Sequence, residues 1–133
     1  MNITSLSKDP KYKFLYAAYM AALCSSGIGR NSFRLGSVLV YKNKIIKCKH
    51  NIGKTHPKLC KFTEFPFIHS ESACILSNGL DNCENCIIYT VRILSNNEIA
   101  LAKPCTTCYK LMQYTNIKKC YFTTKEGYNY IIL

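Results

Sequence analysis

Acidic residues are scarce in this chain: seven carboxylates stand against eighteen lysines and arginines, a formal balance of +11. Between Asp9 and Glu64 there is no acidic side chain at all, while eleven basic ones occur. A field of this sign favours phosphate-bearing partners, whether free nucleotides or polynucleotides. A solvated, lysine-rich surface accounts for it equally well. Long apolar runs are lacking too. The stretch 14–24 has eleven residues, too few to cross a bilayer, so no membrane partner is expected. Lys8, Lys11 and Lys13 precede it as they would an export signal, but Leu23 stands where a cleavage site requires a small residue. Asp9-Pro10 reads instead as an N-cap with proline in the first turn. Leu15, Tyr16, Tyr19, Met20 and Leu23 then recur at helical spacing. The expectation is an amphipathic first helix. Repeats, low-complexity tracts and long linkers are missing as well. Residues 1–133 therefore read as one domain, long enough to bury a core without disulfide staples.

Cysteine, by contrast, is abundant. Nine would suggest a disulfide framework in a small secreted protein. The number is odd, however, and four of the nine form two Cys-x-x-Cys pairs. Cys24, Cys48, Cys74 and Cys120 fall within apolar patterns, where free cysteine behaves as a small buried hydrophobe. A reducing cytoplasm suits this usage.

The element order is read from periodicity and punctuation. After the first helix, 25–31 carries Gly27 and Gly29 and reads as a loop. Two β-rich runs, 35–41 and 45–49, are joined by a hairpin at Lys42-Asn43. Residues 51–66 are polar, broken by Gly53, Pro57 and Pro66, and long loops of this kind are usually functional. A helix is expected over 69–77, closed by Asn78-Gly79. A strand follows at 86–94, then a second short helix from Pro104 to about Tyr114, ending near Asn116. Strands at 118–124 and 128–133 complete the chain, with Lys125-Glu126-Gly127 turning between them. Helix, two strands, helix, strand, helix, two strands is an α/β architecture: a mixed sheet of about five strands covered by helices.

Two short motifs carry the chemistry. His69-Ser70-Glu71 opens one helix, and Pro104-Cys105-Thr106-Thr107-Cys108 opens the next. Cys105 and Cys108 are three apart, so they share a helix face and can grip one ion. At a helix N-terminus their thiolates are favoured by the dipole and the free amides. With His69 as third ligand, the set leaves a fourth tetrahedral position open for water, which marks a catalytic rather than a structural Zn²⁺ site. Glu71 stands two residues from His69 and can move protons without ligating the metal. This combination is the signature of zinc-dependent nucleobase deamination.

Blander readings compete. Glu71 could serve only to complement a helix dipole, and a lone Cys-x-x-Cys could be redox-active. Cys83 and Cys86 together with Cys105 and Cys108, 18 residues between the pairs, would make a four-cysteine structural zinc site. That ribbon leaves His69 and Glu71 unexplained. His50, His56 or Cys60 could also contribute an auxiliary metal site.

Most of the chain resembles the cytidine and deoxycytidylate deaminase superfamily. Arg34-Leu35-Gly36-Ser37-Val38-Leu39-Val40 is similar to the family's first-strand pattern, usually Arg-x-Gly-Ala-Val, and His50-Asn51-Ile52-Gly53 to its loop after the second strand. The resemblance implies a cytidine-deaminase-like three-layer fold. It casts His69, Cys105 and Cys108 as zinc ligands and Glu71 as proton shuttle. Asn51 would bond the substrate's sugar, and the Ser70 backbone amide would meet the base. Two departures stand out, because Ser70 and Ser37 each replace an alanine. Relatives acting on tRNA adenosine or single-stranded DNA usually carry a further helix after the fourth strand, and no such helix is expected here. Homo-oligomers are common in the family, and the composition resembles viral or phage proteins, which would place this one in host cytoplasm.

The expected activity is hydrolytic deamination of a cytosine nucleotide or nucleoside, deoxycytidylate foremost, with ammonia released. Arg34, Lys54, Lys58 and Lys61 would contact phosphate. Those lysines interleave with Phe62, Phe65 and Phe67, which leaves open a deaminase of cytosine or adenine within single-stranded DNA or RNA, tRNA included. A non-catalytic zinc module that binds nucleic acid is the third reading. Adenine and guanine remain open as the target base.

Overall fold

The computed structural model describes residues 1–25, 34–51 and 69–133. Most of the two expected loops lies outside the described residues, with Gly53, His56, Cys60, the basic set Lys54, Lys58 and Lys61, and the phenylalanines beside them. A short 3-10 helix, Ile3–Leu6, precedes α1, Tyr12–Leu23. Strands β1, Arg34–Tyr41, and β2, Lys44–His50, follow, then α2, Ser70–Asn78. The remaining elements are β3, Ile87–Ile93; β4, Ile99–Ala100; α3, Thr106–Tyr114; β5, Lys119–Thr124; and β6, Gly127–Ile132. No helix among the described residues is long and apolar enough to cross a membrane.

The sheet runs β2-β1-β3-β5-β6, with β4 pairing β3 off that path. All pairings are antiparallel except β3 with β5, which is parallel and is joined across α3. The sheet is therefore mixed and six-stranded, one strand more than expected. The extra strand has two residues, too few to produce a period, and it exists only because Arg92 and Ile93 offer it a ladder. The β1–β2 hairpin turns on Lys42 and Asn43, both with φ near +50 to +65°. That is the left-handed pair a two-residue hairpin demands.

Helices cover both faces. Val38, Val40, Tyr89, Val91 and Tyr121 pack against α1, while Leu39, Ile88 and Cys120 meet α2 and α3. The alternation along β1 and β3 follows directly from strand periodicity. Buried on both sides, these two strands form the centre of the layer structure.

α1 departs from its expected face. Leu15 is buried, but Tyr16 and Met20 are exposed, and the helix presents Phe14, Ala18, Ala21 and Ala22 to the sheet. Gly36 is the physical reason. A Cβ there would collide with the Ala18 carbonyl oxygen and the Ala22 amide nitrogen. The helix lies almost on the strand backbone, which only small residues permit. Its start also shifts, because Lys11 is the cap residue, while Asp9 accepts the Lys11 amide at 2.8 Å and the Tyr128 hydroxyl at 2.9 Å. Cys74 and Cys120 are buried as expected. Cys24 and Cys48 are not: Cys24 follows the last turn of α1, and Cys48 lies on the exposed edge strand β2.

Gly36→Ala is expected to destabilise the fold by about 3 kcal/mol or more, at the top of the range for overpacking a core, because the obstacle is backbone. Urea unfolding would check this; an unchanged midpoint would contradict the close helix–strand approach.

Candidate metal centre and active site

His69 and Cys105 are the N-cap residues of α2 and α3, so both motifs sit where a helix presents unpaired amides. The Cys108 amide donates to Cys105 Sγ at 3.5 Å, and the thiolate thus fills the place of a conventional capping oxygen. The two helix starts face each other. His69 Nδ1 lies 3.5 Å from both Cys105 Sγ and Cys108 Sγ. All three donor atoms fall within 4.8 Å of one another.

This triangle fits zinc. A tetrahedral ion with bonds of about 2.3 Å to sulfur and about 2.0–2.1 Å to nitrogen requires an N···S edge of roughly 3.5–3.6 Å. Two soft thiolates and an imidazole, with a fourth corner left over, are also the donor chemistry expected of a catalytic site. Among the described residues no other group of three such ligands converges. The four-cysteine ribbon is therefore not formed. Cys83 and Cys86 lie buried in the core, where the Cys83 thiol donates to the Gly79 carbonyl at 3.4 Å. His50 Nδ1 instead lies 2.9 Å from the carbonyl of Asn51.

The site's electrostatics favour charge on one sulfur first. Hydrogen bonding from the Cys108 side chain pulls the Cys105 thiol down to about 4, with His69 helping, while Cys108 is pushed well up. The Ser72 hydroxyl, 3.3 Å from Cys108 Sγ, can donate to that sulfur once it is ionised. The Cys105 sulfur in turn raises the pKa of His69.

Glu71 is 3 % exposed, a buried carboxyl on the first turn of α2. Burial pushes its pKa up, opposed by His69 and by a hydrogen bond from Ser70, whose hydroxyl donates to Oε1 at 3.2 Å. Ser70 is fully buried and continues to Ser37 at 2.7 Å, and Ser37 to Thr90 at 2.7 Å. The sequence reading singled out Ser70 and Ser37 as departures from the family's alanines, but Thr90 and the contacts that join the three hydroxyls escaped it. A signal for Thr90 was present: a small polar residue set inside the apolar run of β3.

Asn51 is buried, and its Oδ1 accepts the Ser25 hydroxyl at 2.7 Å and the Leu35 amide at 3.1 Å. Those bonds fix the plane of its side-chain amide. Arg34 is turned to the β3–β4 connection, where Nη1 donates to Asn97 Oδ1 at 3.0 Å.

Residues 9–124 match the family model for the cytidine and deoxycytidylate deaminase zinc-binding region. The chain belongs to that family. Comparison with curated proteins gives no match. Among solved structures, the apo dCMP deaminase of cyanophage S-TIM5 is similar at 14 % identity and a TM-score of 0.62, over 88 % of this chain and 84 % of that one. The same phage enzyme in complex with dCMP and dUMP gives 14 % and 0.59, over 87 % and 83 %. Cytidine deaminase of Mycobacterium leprae gives 16 % and 0.56, over 89 % and 90 %. At such identities these likenesses establish the deaminase fold. Family membership makes the chain an enzyme of the deaminase class.

Metal analysis of purified protein should give about one zinc per chain for the wild type and for Cys83→Ser/Cys86→Ser. Cys105→Ser/Cys108→Ser should give almost none; retention there would overturn the ligand set. A second expectation concerns Glu71 in metal-stripped protein. Its folded pKa lies above the unfolded value, so burial of the ionised carboxyl costs stability as pH rises through the gap between them. Glu71→Gln should therefore melt higher than the wild type near neutral pH, and the advantage should vanish below the ordinary value of 4.5.

Proposed function

We propose that this chain is a hydrolytic deaminase of cytosine nucleotides, with deoxycytidylate as the foremost substrate, and that residues 1–133 act as one catalytic domain. One observation carries the proposal: three zinc-type donors converge at two helix starts beside a buried carboxyl that is not among them. A purely structural metal site has no use for such a carboxyl.

His69, Cys105 and Cys108 would hold the zinc ion. Bound there, zinc would supply Lewis acidity that activates water near neutral pH. The remaining work falls to the chain. Glu71 accepts the proton of the attacking water as that oxygen bonds to C4 of cytosine, delivers it to the ring nitrogen, and then serves the departing amine. Ammonia leaves and uracil remains. A carboxyl whose pKa is raised by burial is a suitable base for the first transfer and a suitable acid for the next. The Ser70 amide, at the free start of α2, would meet the base, and the anchored Asn51 would offer its NH₂ to the sugar. The excess of basic residues suits a phosphate-bearing substrate, with Arg34, Lys54, Lys58 and Lys61 as the sequence candidates for that contact. The phage relative that binds dCMP and dUMP supports a free nucleotide. The basic balance also supports a second reading, cytosine or adenine within a single strand.

Zinc-loaded protein should release ammonia from dCMP and not from a cytosine-containing oligonucleotide; the reverse pattern would replace the first reading by the second. Glu71→Gln should lower kcat by about 10²–10⁴-fold while zinc content stays unchanged. Undiminished turnover in that variant would refute Glu71's role.

A further inference from the structure

We infer that Ser37 and Thr90 are positioning residues: a file of three buried hydroxyls, Thr90, Ser37 and Ser70, holds the Glu71 carboxylate in its working orientation. The two serines that depart from the family's alanines are in direct contact, 2.7 Å apart. Thr90 is 2.7 Å beyond Ser37 and is its cross-strand partner in the β1–β3 ladder. All three residues are fully buried.

Their polarity is dictated by the end of the line. An ionised carboxylate can only accept, so the one hydroxyl proton of Ser70 is committed to Oε1 of Glu71. Ser70 can then only accept from Ser37, and Ser37 only from Thr90. Three hydroxyl dipoles therefore align head to tail towards the carboxylate, and in a dry interior such chains reinforce one another. Packing alone does not call for them. Ser37 sits among Val38, Leu39 and Val40, and Thr90 between Tyr89 and Val91; buried hydroxyls cost free energy unless bonded. The sheet ladder sets the position of the first two hydroxyls, and through them the rotamer of Glu71.

The proposal rests on the deaminase reading for its kinetic arm only. Thr90→Val keeps the shape and removes the hydroxyl; Thr90→Ser keeps the hydroxyl and removes a methyl. On dCMP, Thr90→Val should lower kcat about tenfold with KM changed by less than about twofold, and Thr90→Ser should recover most of that loss. A packing role reverses the order, and that result overturns the inference. The second arm needs no turnover. In NMR spectra of the zinc-loaded chain, the hydroxyl protons of Ser37 and Ser70 should exchange slowly in the wild type and in Thr90→Ser. The Ser70 resonance should shift in Thr90→Val. An unshifted resonance overturns the inference whatever the kinetics show. A wild type inactive on dCMP but with the shift intact would sink the substrate reading and leave the hydroxyl file standing. Should Thr90→Val not fold, Ser37→Ala breaks the same line one bond closer to Glu71 and carries both readouts.

Discussion

Two helices that start at the same point in space set the terms for everything else in this molecule. The donors on α2 and α3 are 36 and 39 residues apart in sequence, yet His69 Nδ1 lies 3.5 Å from both sulfurs. No local interaction can bring that about. It depends on Cys74, Ile75, Cys108, Leu111 and Met112 packing together on one face of the sheet, with Leu39, Ile88 and Cys120 beneath them. Cys108 belongs to both systems, as a core residue and as a metal-type donor. Any loss of packing there would spread the donors and weaken the site.

Charge imposes a second constraint. A carboxyl as buried as Glu71 resists ionisation, and the structure answers with the neighbouring His69 ring and with a hydroxyl donor rather than with a lysine or arginine. A fixed ion pair would hold the carboxylate permanently charged. Hydroxyl donors leave it able to gain and lose a proton, which the shuttle role proposed for it requires. The basic excess of the chain makes the choice notable: cations are plentiful, and none among the described residues forms a salt bridge with Glu71.

The opposite face of the sheet does quieter work. α1 lies close against β1 because Gly36 opposes Ala18 and Ala22. That contact backs the same strand that carries Ser37 towards the candidate site one residue later. The two faces of β1 thus serve separate ends, close packing on one side and hydroxyl placement on the other, through strand alternation alone.

Much was legible in the primary structure for identifiable reasons. Helix starts at the two motifs, the Lys42-Asn43 hairpin and the Gly79 stop are local, because capping and left-handed turns depend on a few adjacent residues. The donor set was readable because ligand type and spacing are themselves chemical statements. Other features were beyond its reach. Which face of α1 is buried turned on a glycine in another element, and the two-residue β4 on a neighbour's free ladder. The fate of Cys83 and Cys86 turned on which core they entered. Sequence by itself determined which groups could bind a cation and move a proton, since those capacities reside in side chains and their immediate backbone. Tertiary structure alone decided which of them meet, because distance across a sheet is set by packing that no short segment contains.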